Sequence, residues 1–154
     1  MFKILFVCHG NICRSPMAEF VMKDLVNRQG LANTYLLASA ATSREEIGNT
    51  MHQGTKATLR EKGIPFTEHR AIQICKEDYT TYDLLLGMDT NNLNNMQRIL
   101  GADPQGKIHR LLDFTSSPQN IADPWYTDDF EATYEDVQKG CLALLSHLTK
   151  TGQK

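Results

Sequence analysis

Residues 4–16 read Ile4-Leu5-Phe6-Val7-Cys8-His9-Gly10-Asn11-Ile12-Cys13-Arg14-Ser15-Pro16. The first four of them form a continuous apolar run, which is typical of a parallel strand that is buried on both faces. A turn containing Gly10 follows, and Pro16 stands where the first turn of a helix tolerates proline. The segment therefore predicts a buried strand, a tight loop and a helix, with the loop at the carboxyl end of the strand.

The rest of the chain continues this alternation. Helical periodicity runs on after Pro16 until Gly30 stops it. The further predicted elements, in chain order, are a strand at 35–40, a polar helix at 50–62, a strand at 83–88, a short helix at 91–100, a weaker strand at 107–111 and a terminal helix with an apolar stripe from Tyr134 to Leu148. Alternating strands and helices predict a parallel sheet wrapped on both faces, as a single α/β domain over residues 1–154. Ligands of such sheets bind beyond the carboxyl ends of the strands.

The composition indicates a globular protein. The chain has 154 residues, of which 41% are hydrophobic and 22% are charged, and a domain usually holds roughly 100–200 residues. The net charge of -2 gives no basic excess to attract nucleic acid or an anionic membrane surface. No apolar run approaches the roughly 20 residues that span a bilayer, and the N-terminal segment lacks the features of a signal peptide. We therefore expect a cytoplasmic protein that binds neither nucleic acid nor membranes.

The cysteines fit a reducing compartment. Cys8, Cys13, Cys75 and Cys141 are interpreted as thiols rather than as a disulfide framework. Cys8 and Cys13 form a Cys-x4-Cys pair, and no second Cys/His pair completes a zinc site. The sequence thus predicts neither a metal nor another cofactor. Cys141 lies on the apolar stripe of the terminal helix, which indicates a packing role.

The loop from Cys8 to Arg14 has the features of an anion site. Gly10 and Asn11 tolerate the positive φ that a curled loop needs, and such a loop turns its backbone N–H groups inward. These groups and the helix N-terminus attract an anion, and the Arg14 guanidinium offers a planar fork for two phosphate oxygens. The same field favours the thiolate of Cys8, a competent nucleophile, to which Ser15 can donate its hydroxyl. The alternative is a buried Cys8 in an ordinary strand-to-helix turn.

The segment from Val7 to Pro16 closely resembles the signature of the low-molecular-weight protein tyrosine phosphatases. The similarity continues, in the same order, through Ser39-Ala40-Ala41-Thr42-Ser43, Gly63-Ile64-Pro65, Gln73-Ile74, Lys76-Glu77-Asp78-Tyr79, Met88-Asp89 and Asp123-Pro124-Trp125-Tyr126. It implies a four-stranded parallel sheet with flanking helices and metal-independent hydrolysis of phosphate monoesters such as phosphotyrosine. It also implies a phosphocysteine intermediate on Cys8 and a phosphate-binding loop made of His9, Gly10, Asn11, Ile12, Cys13, Arg14 and Ser15.

The chemistry also requires an acid that protonates the leaving oxygen. The residues alone leave Asp123 as a turn residue, because Asp-Pro is a common turn dipeptide. The resemblance assigns Asp123 as the general acid, since the family uses the aspartate of this motif. Asp128 and Asp129 are nearby rivals, and we interpret them as caps of the terminal helix.

The resemblance assigns roles to residues around the loop. Trp125 and Tyr126, which could also be core anchors, become walls of the substrate cleft. Asn11, Ser39 and His69 match residues that brace the phosphate loop by hydrogen bonds, although His69 on its own is interpreted as a surface histidine.

Cys13 has two possible roles. It is either a small packed thiol or, as the resemblance implies, the partner that traps Cys8 in a reversible disulfide under oxidants.

Glu45 marks a departure from the family pattern. Relatives often carry Trp or Tyr at this place, as the other wall of the cleft. A carboxylate cannot stack on a phenyl ring, and it repels a dianionic ester, so we expect weaker binding of phosphotyrosine peptides. Arg44 beside it is interpreted as a solvated surface charge.

The sequence leaves three alternative functions to be considered. An arsenate reductase needs further cysteines on a mobile segment, and the residues after Met88-Asp89 contain none. A phosphatase of phosphoarginine would carry Thr in place of Ile12. A silent phosphate-binding module would lack the nucleophile or the acid, whereas Cys8 and Asp123 are both present. The favoured partner is thus a phosphorylated protein or a small phosphate ester, bound by a monomer or a weak dimer.

Overall fold

The computed structural model describes residues 1–152. Over these residues the strands are β1 (Phe2–Cys8), β2 (Tyr35–Ala41), β3 (Leu84–Gly87) and β4 (Ile108–Arg110). The α-helices are α1 (Arg14–Arg28), α2 (Gln53–Glu61), α3 (Asp78–Thr81), α4 (Thr90–Leu100), α5 (Pro124–Thr127) and α6 (Phe130–Lys150). A 3₁₀-helix at Leu111–Phe114 follows β4 directly.

β1 is one of the two central strands of the sheet. The strand order is β2-β1-β3-β4, and every neighbouring pair is parallel. β1 pairs with β2 along its whole length, from Phe2 opposite Tyr35 to Cys8 opposite Ala41. The prediction of a four-stranded parallel sheet is confirmed, and its strand β1 delivers Cys8 to the carboxyl edge.

Alternate side chains of β1 enter two different hydrophobic clusters. Ile4 and Phe6 pack with residues of α1 and α6, whereas Leu5 and Val7 pack with residues of β3 and α4. All four side chains are almost fully buried. Helices therefore cover both faces of the sheet, which explains why the strand sequence is continuously apolar rather than alternating.

The predicted elements are present, and their ends differ by a few residues. The helix predicted at 50–62 is the most shortened, because it begins only at Gln53, where His52 is the N-cap. The strand predicted at 107–111 ends at Arg110, because Leu111 and Leu112 turn into the core within the 3₁₀-helix.

α5 lies between Phe114 and Asp129, where the sequence predicted neither a helix nor a strand. Asp123 caps this helix by accepting the backbone N–H of Trp125 at 3.0 Å. Pro124 takes the first helical position, where the missing N–H removes no hydrogen bond. A four-residue helix has too little periodicity to be found in a sequence.

One of the two predicted caps of α6 is correct. Asp129 caps the helix by accepting the backbone N–H of Ala132 at 3.0 Å. The prediction that Asp128 also caps α6 is wrong. With a φ of 58°, Asp128 is instead the left-handed residue that ends α5.

None of the helices within residues 1–152 combines the length and the apolar character needed to cross a membrane. In the same part of the chain, no group of three or more His, Cys, Asp or Glu side chains is arranged to hold a metal ion. The four cysteines are free thiols.

Gly140 brings α6 into close contact with the 3₁₀-helix. A Cβ at this position would lie 2.6 Å from Leu111 Cγ. We predict that Gly140→Ala lowers the free energy of unfolding by about 1–3 kcal/mol, because overpacking outweighs the better helix propensity of alanine. Urea unfolding measures the change. Ser146→Ala, on the exposed side of the same helix, should shift it by less than about 0.5 kcal/mol; a Gly140→Ala protein as stable as the wild type would contradict the packing.

Candidate active site

The loop between β1 and α1 curls around the sulfur of Cys8. The backbone N–H groups of Asn11 and Ser15 point at Sγ, with nitrogen–sulfur distances of 3.3 and 3.4 Å. The Ser15 hydroxyl oxygen lies 3.1 Å from the same sulfur. Donors thus converge on one buried sulfur at the N-terminus of α1, an arrangement suited to a thiolate.

The Asn11 side chain ties this loop to its surroundings. Its Nδ2 donates to the hydroxyl oxygens of Ser15, at 2.8 Å, and Ser39, at 3.0 Å. Its Oδ1 accepts the backbone N–H of Ile72 at 3.2 Å. The ring of His69 donates through Nε2 to the Asn11 carbonyl at 2.8 Å. The structure thus brings together the three residues to which the resemblance assigned a bracing role.

The expected backbone geometry of the loop is only half correct. Asn11 has a φ of 58°, whereas Gly10 is not among the residues with positive φ. Gly10 instead allows the Glu46 side chain to lie close to the loop backbone, because a Cβ at Gly10 would be 3.3 Å from Glu46 Cγ. Asn11 needs the left-handed conformation, and it is one of the residue types that adopt it at low cost.

A buried carboxylate that the sequence did not reveal supports Ser39. The Ser39 hydroxyl donates to Glu19 Oε1 at 2.6 Å. The other oxygen of Glu19 accepts from Lys23 Nζ at 2.5 Å, one turn further along α1. With its proton committed to Glu19, the Ser39 oxygen faces Asn11 as an acceptor.

Arg14 is buried at the base of the site, with a side chain that is 2% exposed. Its Nη1 donates to Asp89 Oδ2 at 2.6 Å and to the Ile121 carbonyl at 2.9 Å. Burial alone would lower the pKa of Arg14, but the Cys8 sulfur and the carboxylates of Asp89 and Asp123 outweigh it and raise the pKa. The buried Nε has no hydrogen-bond partner among the residues that the structure describes.

Asp89 holds Arg14 in place, a role that was not predicted from the sequence. It directly follows Met88 after strand β3, and its Oδ1 also caps α4 by accepting the N–H of Asn92 at 2.7 Å. A polar residue at the carboxyl end of a buried parallel strand is the signal that could have identified it.

Asp123 lies at the mouth of the site. One carboxylate oxygen accepts the N–H of Trp125, and the other lies 3.4 Å from Arg14 Nη2. Its side chain is 22% exposed, so it is accessible from the cleft. The structure therefore places Cys8, Arg14 and Asp123 around one space.

A cleft of about 110 Å³ opens above the sulfur of Cys8. Its lining comprises Cys8, His9, Gly10, Ile12, Cys13, Arg14, Glu45, Glu46, Asp123, Trp125 and Tyr126. Trp125 and Tyr126 are 59% and 83% exposed, which makes them a rim of the cleft rather than core anchors. Elsewhere in the same lining, Glu45 Oε2 accepts from His9 Nε2 at 2.6 Å. Glu46 is a second acidic wall residue that the sequence did not suggest.

Cys13 lies in the cleft lining but differs from Cys8 in its environment. Burial, the neighbouring Cys8 sulfur and Asp123 raise the pKa of Cys13 to about 12. It is therefore a neutral thiol at physiological pH, whereas the amides of the loop are aimed at Cys8.

Comparisons with known proteins show to which family the chain belongs. The family described as "Low molecular weight phosphotyrosine protein phosphatase" matches residues 3–154. The chain belongs to this family. It is 37% identical over 155 residues to the low molecular weight protein-tyrosine-phosphatase YfkJ of Bacillus subtilis, with 99% of each chain covered. It is 40% identical over 147 residues to the human low molecular weight phosphotyrosine protein phosphatase, with 92% of each chain covered.

Solved structures of the low molecular weight phosphatases share the whole fold. The crystal structure of YfkJ superposes with a TM-score of 0.94 at 37% identity, covering 98% of this chain and 96% of that one. The low molecular weight protein tyrosine phosphatase of Streptococcus pyogenes superposes with a TM-score of 0.86 at 41% identity, covering 96% and 93%. The fold around the cleft is therefore the family fold, and Glu45 and Glu46 give the cleft an acidic wall.

The acidic wall predicts a measurable effect on ligand affinity. We expect Glu45→Tyr to tighten the binding of benzylphosphonate, because the change removes a repulsion and adds a ring contact, together worth roughly 1–2 kcal/mol or about 5–30-fold in Kd. Titration calorimetry measures the affinity.

Glu45→Gln is the matched control, since it removes the charge without adding a ring, and should give a smaller gain. An unchanged Kd for Glu45→Tyr would mean that this residue does not contact the ligand's ring.

Proposed function

We propose that the protein hydrolyses phosphotyrosine through a phosphocysteine intermediate on Cys8, with Asp123 as the general acid. The observation that carries the proposal is the buried Nε of Arg14, which lacks a hydrogen-bond partner within residues 1–152. A buried unpaired donor is costly unless a ligand satisfies it. A phosphate above Cys8 would accept from this group while Asp89 continues to hold Nη1.

The phosphate is bound by the loop and by Arg14. Loop amides and the N-terminus of α1 stabilise its negative charge, and the Arg14 fork positions two of its oxygens. The pair formed by Arg14 and Asp89 keeps the guanidinium fixed before the substrate arrives, which lowers the ordering cost of binding.

The first chemical step transfers the phosphoryl group to Cys8. The sulfur attacks phosphorus, the bond from phosphorus to the phenolic oxygen breaks, and Asp123 gives its proton to that oxygen. The leaving group departs as a neutral phenol, which is why the acid matters most for poor leaving groups. The negative charge that spreads over the phosphoryl oxygens is met by Arg14 and the loop amides.

The second step releases phosphate. The Asp123 carboxylate now takes a proton from water, the water oxygen attacks phosphorus, and the sulfur–phosphorus bond breaks. The Ser15 hydroxyl, 3.1 Å from Sγ, stabilises the departing thiolate. The thiolate and Asp123 return to their starting states, and the cycle needs no metal or other cofactor from outside the chain.

All groups of this mechanism come from one chain, which supports catalysis by a monomer or a weak dimer. The substrate is a phosphorylated protein or a small phosphate ester that reaches the cleft. The free thiols support a cytoplasmic location, where reduced cysteine persists.

Replacement of the nucleophile tests the proposal directly. Cys8→Ser should abolish turnover of a phosphotyrosine peptide, because the hydroxyl is not ionised at neutral pH. Binding of inorganic phosphate should remain, since the amides and Arg14 are unchanged. A variant that keeps even about a tenth of the activity would exclude Cys8 as the attacking group. If the wild type releases phosphate faster from a phosphoarginine peptide than from the phosphotyrosine peptide, the substrate is phosphoarginine instead.

Replacement of the acid should make the rate of hydrolysis depend strongly on the leaving group. Asp123→Asn should lower kcat/KM for phosphotyrosine and alkyl phosphates by about 10²–10⁴-fold, and much less for esters of acidic phenols, which depart without a proton. Steady-state kinetics over a series of aryl phosphates measures this dependence. If all esters slow equally and only slightly, Asp123 is not the acid.

We also propose that Cys13 protects Cys8 from irreversible oxidation. Peroxide converts the Cys8 thiolate to a sulfenic acid, and Cys13 then displaces water to form a disulfide. Oxidation removes the charge of Cys8, one of the causes that raise the pKa of Cys13. Cys13→Ser should therefore make peroxide inactivation harder to reverse with thiols, and mass spectrometry that finds no bond between the two cysteines after oxidation would refute this role.

A further inference from the structure

His52 lies between the phosphate loop and α5, the helix that carries Asp123 at its N-terminus. Its backbone N–H donates to the carbonyl of Ile12, a loop residue, at 2.9 Å. Its ring contacts Trp125 on the other side. One residue thus contacts both halves of the cleft.

The imidazole of His52 makes two kinds of contact at once. Its Nδ1 accepts the backbone N–H of Gly54 at 2.9 Å and thereby caps α2. The face of the ring stacks on Phe130, with centroids 5.0 Å apart and planes at 25°. The Trp125 ring meets it nearly at a right angle, with centroids 5.9 Å apart and planes at 84°.

The absence of a side chain at Gly54 leaves room for the Phe130 ring. A Cβ at Gly54 would lie 2.4 Å from two carbons of the Phe130 ring. Phe130 is the first residue of α6 and packs against Ile12 and Cys13 of the phosphate loop. His52 and Phe130 therefore form a platform, fixed to the phosphate loop, on which Trp125 rests.

The platform acts on Asp123 through Trp125. The Trp125 backbone N–H donates to Asp123 Oδ1 at 3.0 Å, which fixes the rotation of the carboxylate. α5 has only four residues, of which Pro124 alone is buried, and it exposes both of its aromatic side chains. A displacement of Trp125 would move the carboxylate relative to the sulfur of Cys8.

We infer that His52 is a positioning residue that sets the place of Asp123 above the phosphate loop. The inference rests on the proposed function and deepens it. Histidine suits the position because it joins an acceptor for the α2 cap to a flat ring for stacking. Asparagine would keep the cap but lose the ring, and phenylalanine would keep the ring but lose the cap. The two contributions can therefore be separated.

The test compares leaving groups in His52→Asn. We expect kcat/KM for phosphotyrosine to fall about 5–20-fold, a part of the 10²–10⁴-fold that a general acid supplies. For esters of acidic phenols, kcat/KM should change less than about twofold, because their departure needs no proton. The Kd of vanadate should stay within the same twofold range, since the phosphate loop remains intact. A merely structural defect would slow all esters alike and weaken vanadate.

A double-mutant cycle sharpens the result. In an Asp123→Asn background, His52→Asn should have no further effect on phosphotyrosine hydrolysis, because the acid that it positions is absent. Additive losses would overturn the inference. An unchanged leaving-group dependence in the single variant would overturn it as well.

Two control variants accompany His52→Asn, and the activity of the wild type distinguishes a failure of this inference from a failure of the proposed function. His147→Asn is the matched variant, because His147 also contacts an aromatic ring, that of Phe114 at 5.2 Å, but lies away from the cleft; it should leave the dependence on leaving group unchanged. His52→Phe tests the cap, and its expected result is lower thermal stability with the leaving-group dependence retained. If the wild type hydrolyses no phosphate ester, the proposed function fails; if it does and only the His52→Asn result is absent, this inference alone fails.

Discussion

Two backbone amides and one hydroxyl converge on the sulfur of Cys8, and the loop can curl this tightly only while Asn11 stays in the left-handed conformation. Three side-chain hydrogen bonds and the contact with His69 hold it there. The hydrogen bond from Ser39 to Glu19 extends this support into α1. The geometry of the phosphate loop is therefore set by residues far apart in the sequence, and the sheet serves to bring them together.

The buried positive charge of Arg14 is the second constraint on the site. Arg14 is a buried cation, and a buried charge is tolerated only with partners that compensate for lost hydration. Asp89 supplies a strong hydrogen bond and Asp123 a weaker contact, while the Nε remains without a partner among the described residues. The guanidinium is thus fixed on one side and open on the other. A site built in this way is organised before the substrate arrives, which is the condition for effective electrostatic catalysis.

The sequence predicted the sheet and the phosphate loop because their signals are local. A continuous apolar run followed by glycine, asparagine and proline indicates a buried strand, a loop and a helix without knowledge of the rest. Asp123 required the resemblance to a family, since an isolated Asp-Pro pair equally well indicates a turn. Glu19, Asp89 and His52 were given no role from the sequence, because Ser39, Arg14 and Trp125, with which they interact in the site, are distant from them in the chain and their residue types are ordinary. The wrong assignment of Asp128 has a related cause: the short helix α5, which it ends, has no detectable period.

The most direct test of this account is to trap the reaction between its two steps. Rapid mixing with a phosphotyrosine peptide, acid quenching and mass spectrometry of the digested protein identify the residue that carries the phosphoryl group. A transient phosphate is expected on Cys8, formed in a burst that is absent from the Cys8→Ser protein. Phosphate release without a covalent intermediate, or a phosphoryl group on another residue, would contradict it.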